Sequence, residues 1–343
     1  MVLLGDVLEL RHGPMREALA AARPFFEDLG RALAGRELVI VAGNHDHALV
    51  EPWLARRGQE HEPPPLGVEQ LLDPADASPA LERIADWASP ATVRVAYPGL
   101  WLRPDVYAMH GHYLDCHLTV PTLERLSVGA MSRLLGRPAS TFHCVDDYEA
   151  VGAPMFAWRD AVARDARTGA ALNGAATVIA WNALRGGGAR DGSARRAPVR
   201  RLRKRAIAAG FPLAVAALNR VGIGPLRPDV TMSELRRAGL RAMGEVAARL
   251  ELGEAYVVFG HTHRVGPLPG DEEREWSGRA GARLVNAGSW TYSSVFLARA
   301  SGESPYWPGT CVLVEDDGPP TIMRLLQDRT HAQIASAVKR SPE

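Results

Sequence analysis

The sequence predicts an α/β fold interrupted by a helical insertion, on three observations. Short apolar runs alternate with helical periodicity over the first 45 residues. Four apolar runs stop at carboxylate, amide or imidazole side chains with glycine beside them. Strand character returns after residue 254, beyond a long stretch rich in Ala, Arg and Leu.

Residues 2–4, in "VLLGDVLEL", read as a buried strand. "MREALAAARPFFEDLGRALAG" (15–35) reads as a helix with Leu19, Phe26, Leu29 and Leu33 on one face, Pro14 at its start and Gly35 at its end. "ELVIVAGNH" (37–45) is a second, β-branched strand, and the β-α-β order implies a parallel pair. Residues 58–80 are rich in Pro and Glu and read as a loop, and 81–88 as a short helix. "TVRVAYPGLWL" (92–102) and "VYAMHG" (106–111) are strands. Residues 118–250 have helical spacing, broken by "RGGGARDGSARRAP" (185–198). "AYVVFGHTH" (255–263), "ARLVNAGSW" (282–290), "TCVLVED" (310–316) and "TIMRLLQ" (321–327) are strands again. The division expected is one α/β domain in two parts, 1–117 and 251–330, with a helical insertion or cap over 118–250 and a tail over 331–343.

Composition narrows the class. With 343 residues, 46% hydrophobic and 23% charged, the chain can bury a core. A formal net charge of +1 names no partner. Cys116, Cys144 and Cys311 are far apart and form no CxxC pair, which points to a reducing compartment and a cytoplasmic location. No signal peptide is expected. The longest apolar stretch, "AIAAGFPLAVAAL" (206–218), has 13 residues, whereas a membrane span needs about 20.

The chemistry lies at the four strand ends. They are "VLLGD" (Asp6), "VIVAGNHD" (Asn44, His45, Asp46), "VYAMHGH" (His110, His112) and "VVFGHTH" (His261, His263). In α/β sheets, sites form where strands end. Mixed carboxylate, amide and imidazole donors suit Mn, Fe, Zn or Co better than an all-oxygen Mg or Ca cage. Each stretch alone has a plain structural reading, such as a turn cap at Asp6 or an Asx-turn in "GNHD". Their co-occurrence in order is the stronger signal.

These stretches resemble the calcineurin-like metallophosphoesterases, whose pattern is DxH, GDxx(D/E), GNH(D/E), a His often in HG, and GHxH. Here "GDVLE", "GNHD", "HG" and "GHTH" match, over residues 1–115 and 254–330. The resemblance implies a β-sandwich flanked by helices and a site of two divalent metal ions. It implies that Asp6 bridges the metals, that Asn44, His110 and His261 complete one shell, and that His263 binds the other metal. His45 would stabilise charge or protonate the leaving oxygen, oriented by Asp46. His112 competes with His110, and the family's ligand is the one preceding glycine. Glu9 matches the acidic position of the second motif, and reads equally as an exposed strand-end charge. "NAGSW" (286–290) resembles a supporting stretch, so Asn286 and Ser289 are candidate supporting or substrate-facing residues, beside the reading of a strand turn with a packed Trp290. The DxH pair is absent from its place. The only DxH is Asp115-Cys116-His117, at no strand end of its own, so it is not assigned to the site. One metal position therefore keeps only Asp6 and His263. The fold would lack its first strand, and the expectation is that about 20–40 residues, a strand and a crossover, lie upstream.

"RRAPVRRLRKR" (195–205) holds seven cations in eleven residues before the apolar stretch. It reads as a solvated face, or as a surface for anionic membrane. Nucleic acid fits less well, since aromatic interleaving is absent. The "GDVLE" form is also close to the UDP-2,3-diacylglucosamine pyrophosphohydrolase branch, which implies an amphiphilic substrate, although that branch has HGD where this chain has "HGH". The expectation is a metal-dependent hydrolase of a phosphomonoester, phosphodiester or pyrophosphate bond on a phosphorylated small molecule or lipid, with no protein partner. The alternatives are an impaired pseudoenzyme serving as a binding module, and a nuclease or cyclic-nucleotide phosphodiesterase.

Overall fold

A computed structural model of the chain describes residues 1–11, 13–164, 210–292, 297 and 302–338. It is mixed α/β. Strands β1 (Val2–Leu4), β2 (Glu37–Val41), β3 (Glu69–Leu72), β4 (Thr92–Arg103), β5 (Val106–Met109), β6 (Tyr256–Phe259) and β7 (Arg283–Asn286) form one sheet. The order is β1-β2-β4-β5-β6-β7, with β3 also on β4. β1, β2 and β4 run parallel to one another, and so do β5, β6 and β7. β4 and β5 are antiparallel, so the two halves of the sheet point in opposite directions.

β4 reconciles the halves. Its first part, Thr92–Ala96, pairs with β2, and its second part, Gly99–Arg103, pairs with β5. Val41, the last residue of β2, lies opposite Ala96, and Met109, the last residue of β5, lies opposite Gly99. The carboxyl ends of both halves therefore meet near the middle of one strand. Loops leaving strands that point oppositely reach a common place.

Helix α1 (Met15–Ala32) links β1 to β2 and buries Leu19 and Phe26 against the sheet face that includes Leu38, Ile40 and Val95. The parallel β1–β2 pair and this helix agree with the sequence reading. Helix α2 (Glu51–Arg57) follows the β2 turn, and the loop expected over 58–80 is corrected: it contains β3 and the short helix α3 (Pro74–Ala77). Helix α4 (Pro79–Trp87) follows, with Ser78 capping its first turn through the Leu81 amide.

The helical stretch contributes α5 (Leu123–Leu135), α6 (Val145–Arg164) and α7 (Met232–Arg249), and residues 210–220 are helical. Val128, Phe142, Tyr148, Met155, Leu240 and Met243 share one core with Tyr107, Met109, Val257 and Phe259 of the sheet. These helices form a layer on the sheet. On the opposite face, Val312 and Ile322 of the two-stranded sheet β8 (Thr310–Leu313) and β9 (Thr321–Arg324) pack against Val39, Val41, Val258 and Val285. The expected tail begins with helix α8 (His331–Val338), whose Ile334 is buried with Leu297 and Trp307. Among the described residues, no helix is long and apolar enough to cross a membrane. His12, the basic run 195–205 and residues 206–209 lie outside them.

Candidate functional site

The turns after β1, β2, β5 and β6 place Asp6, Asn44, His45, His110 and His261 together. Ligand atoms of Asp6, His110 and His261 all lie within 4.8 Å of one another. His110 Nε2 is 3.2 Å from Asp6 Oδ2 and 3.2 Å from Asn44 Oδ1. His261 Nδ1 is 3.1 Å from Asn44 Oδ1. Spacings near 3 Å are those between neighbouring donors around an ion with bonds of about 2.1 Å.

The outer nitrogens of both rings are occupied. His110 Nδ1 donates to the Leu4 carbonyl at 2.9 Å. His261 Nε2 donates to Asp115 Oδ2 at 3.0 Å. In the neutral rings these bonds leave the lone pairs of His110 Nε2 and His261 Nδ1 facing the oxygens of Asp6 and Asn44. Such a convergence of acceptors calls for a cation between them, so the donor set fits a divalent metal. Burial lowers the pKa of His110, but the Asp6 carboxylate more than offsets this and raises it overall. Burial likewise opposes the charge on Asp6, and His110 and His45 hold its carboxyl well below the usual range.

Backbone geometry shows how tightly the turns are held. Asp6, His261 and His263 all adopt positive φ, of 55°, 60° and 60°. Non-glycine residues there carry strain that the surroundings must enforce. Gly5 has φ 84°, and a Cβ on it would lie 2.3 Å from the His110 ring. A Cβ on Gly43 would lie 2.2 Å from Asp6 Oδ1. Glycine beside these side chains thus permits close approach as well as a turn.

Asp46 does not orient His45, contrary to the role implied by the resemblance. It is fully buried, and its carboxylate accepts from the amides of Asp6, Val7, Leu8 and Gly43 at 2.7–3.2 Å. Its length suits it to clamp one turn to the other. Burial and the nearby Asp6 charge raise its pKa against the pull of those amides. The partner of the His45 ring is Glu9, whose Oε2 is 2.5 Å from His45 Nδ1. Glu9 is thus more than an exposed strand-end charge. His45 Nε2 lies 3.7 Å from Asp6 Oδ2, and the Arg11 guanidinium lies against the same ring.

His263 lines the adjoining cavity and is not in the group of three. Burial first, then the charge of His261, push its pKa down to about 4, which leaves a neutral imidazole. Between His110 and His112, the structure puts only His110 in the donor group. His112 is buried against Phe156 and Tyr113, with burial and His110 pushing its pKa well down. Asn286 donates to Gly260 O at 3.0 Å and Thr262 Oγ1 at 2.8 Å, which braces the "GHTH" turn. Ser289 Oγ accepts from the Thr291 amide, in a local turn. Trp290 is exposed, and the reading of a packed Trp290 is corrected.

Asp115 is the residue the sequence reading passed over. It sits on the 3-10 turn His112–Cys116, buried, and holds His261. The DxH containing it does not act as a unit, since His117 Nε2 bonds to Tyr148 Oη at 2.8 Å instead. Its signal was the very short step from the HG motif to the next carboxylate. Beside the donor group opens a cavity of about 310 Å³ lined by Asn44, His45, His261 and His263 on one side and by Leu118, Leu235, Leu240, Phe259 and Trp276 on the other.

Neither a family model, nor a curated protein, nor a solved structure matches this chain.

Proposed function

We propose that the chain is a metal-dependent phosphoesterase of the calcineurin-like type that its motifs resemble. The observation that carries this reading is the convergence of Asp6, Asn44, His110 and His261, with outer nitrogens tied off, beside a histidine paired to a carboxylate. Asp6, Asn44, His110 and His261 would hold a divalent ion, with Mn, Fe, Zn and Co suiting the donor types. His263 stands ready to contribute to a second ion. When bound, such an ion supplies Lewis acidity and a nucleophile at neutral pH.

The chain's own residues do the rest. Leu4 O and Asp115 fix the ring orientation of His110 and His261. His45, tied to Glu9, holds a proton within reach of the cavity and delivers it to the leaving oxygen. The cavity's apolar wall suits a leaving group with an apolar body, in line with an amphiphilic phosphate ester.

The test separates the roles. His110→Ala should lose bound metal. His45→Ala should keep it and lose about 10²–10⁴-fold in turnover of an aryl phosphate. Metal content and initial rates on the same preparations decide it. Full turnover in His45→Ala removes the proton-donor role. Unchanged metal content in His110→Ala removes the ligand set.

A further inference from the structure

One glycine in α7 is not explained by how that helix packs. Glycine inside a helix is destabilising relative to alanine, since its backbone loses more freedom on folding. It persists where a neighbour leaves no room for a β-carbon. Gly244 on α7 is such a case, since a Cβ there would lie 3.0 Å from Gly278 Cα. Gly129 on α5 is another, with Ile223 Cγ2 at 2.8 Å. Gly239 is different. It is buried within the helix. Among the described residues, a Cβ on it would meet only Thr262 Cγ2, at 3.6 Å, which is ordinary van der Waals contact. Neither backbone conformation nor crowding by these neighbours demands glycine there.

What Gly239 does border is the cavity. Met232, Leu235, Arg236, Gly239 and Leu240 all line it, at the spacing of one helix face. At the helical rise, that face runs along the cavity for roughly 10 Å. Thr262 also lines the cavity, between His261 and His263 of the "GHTH" turn. Its Oγ1 accepts from Asn286 Nδ2 at 2.8 Å, which fixes the rotamer and keeps Cγ2 toward Gly239. A methyl at position 239 would therefore bring α7 into contact with the turn that carries the histidines. The missing side chain is cavity space, left where the helix approaches that turn.

We propose that Gly239 sets the size selectivity of the cavity, keeping the space between α7 and the "GHTH" turn open for a broad apolar group on the ligand, such as a fused aromatic ring. Leu235, Leu240, Phe259 and Trp276 give such a group its apolar contacts. At about 310 Å³ the cavity is at the small end of ligand pockets, so one added side chain changes what fits. The inference rests on the proposed phosphoesterase reading for the identity of that group as part of the ester. The space itself does not depend on it.

The probe is 2-naphthol, the alcohol that a naphthyl ester would release. It is titrated calorimetrically into the full-length chain, metal-loaded and EDTA-treated, for wild type, Gly239→Ala and Gly239→Leu. Wild type should bind it with and without metal. Gly239→Leu should weaken binding about 10- to 100-fold, and Gly239→Ala about three- to tenfold. Gly239→Ala should also unfold at a higher urea concentration than wild type, because alanine suits a helix interior and meets no clash. Binding and stability then move in opposite directions, which a purely structural glycine would not produce. Should Gly239→Leu fail to fold by circular dichroism, Gly239→Ala carries the test. The ratio of kcat/KM for 2-naphthyl phosphate over methyl phosphate should fall in Gly239→Ala. No binding of 2-naphthol to wild type, equal binding in folded Gly239→Ala, a lower urea midpoint in that variant, or an unchanged ratio with both esters turned over each overturns the inference. Size-dependent binding of 2-naphthol, with neither ester turned over by metal-loaded wild type, overturns the phosphoesterase reading and leaves the role of Gly239 standing.

Discussion

His261 illustrates how much of the site is decided one residue at a time. Its left-handed backbone turns the ring so that Nδ1 meets Asn44 while Nε2 meets Asp115. The carboxylate fixes which nitrogen carries the hydrogen and makes the other a better donor to a metal. Asp115→Asn keeps the shape and removes the charge. It should weaken metal affinity about 10- to 100-fold, read by competition with a chromophoric chelator. Equal affinity would mean that Asp115 serves packing alone. At this scale the convergence of the donor group was legible, because Asp6, His110 and His261 each follow a strand and lie beside glycine. Asp115 was not, because it lies 146 positions from its partner, on a 3-10 turn that carries no periodic signal. The tie between His45 and Glu9 was half legible. The acidic position stood out, but which carboxylate reaches the ring depends on how two loops cross.

The elements that matter most are the two turns after β1 and β2. Asp46 collects four amides from them, and Asp6 Oδ1 accepts from the His45 amide at 2.8 Å. Each turn is therefore held by a side chain of the other. Asp46→Ala strands several buried donors at once and should cost about 3 kcal/mol or more, seen in the midpoint of urea unfolding. Asp46→Asn should recover part of this, since its Oδ1 still accepts. Gly43→Ala should lower metal affinity, because the new Cβ displaces Asp6. The parallel β1–β2 pair and α1 were readable from apolar runs and helical spacing. β3 was not. It has four residues, Glu69–Leu72, at the edge of β4, beyond a Pro-rich stretch that argues for a loop.

At the scale of the molecule, a buried polar knot fastens the helical layer to the sheet. Glu149 on α6 accepts from the hydroxyls of Tyr97 and Tyr113 at 2.6 Å and lies 3.2 Å from His47 Nε2. Tyr97 belongs to β4, Tyr113 to the turn after β5, and His47 to the turn after "GNHD". Burial alone would raise the Glu149 pKa, and the His47 ring and the two hydroxyls more than offset it, leaving it lowered. A depressed folded-state value means that its stabilisation is fully present above the ordinary glutamate range and is lost as pH falls through the folded value. Glu149→Gln should therefore destabilise the chain by about 2–4 kcal/mol at neutral pH, and the gap from wild type should close in acid. Urea titrations at neutral and acidic pH measure both. No motif announced this knot, since its members come from four separate stretches.

β4 gives the architecture a consequence beyond shape. Its two parts set the places at which β2 and β5 stop, so the distance between "GNHD" and His110 is a matter of strand alignment. A slip of one residue on either side would shift half of the donors by about 3.3 Å and turn side chains to the wrong face. A chain that has paired its strands wrongly cannot gather the set. Ion capture would then serve as a checkpoint on assembly, and would favour only those molecules whose two half-sheets are in step.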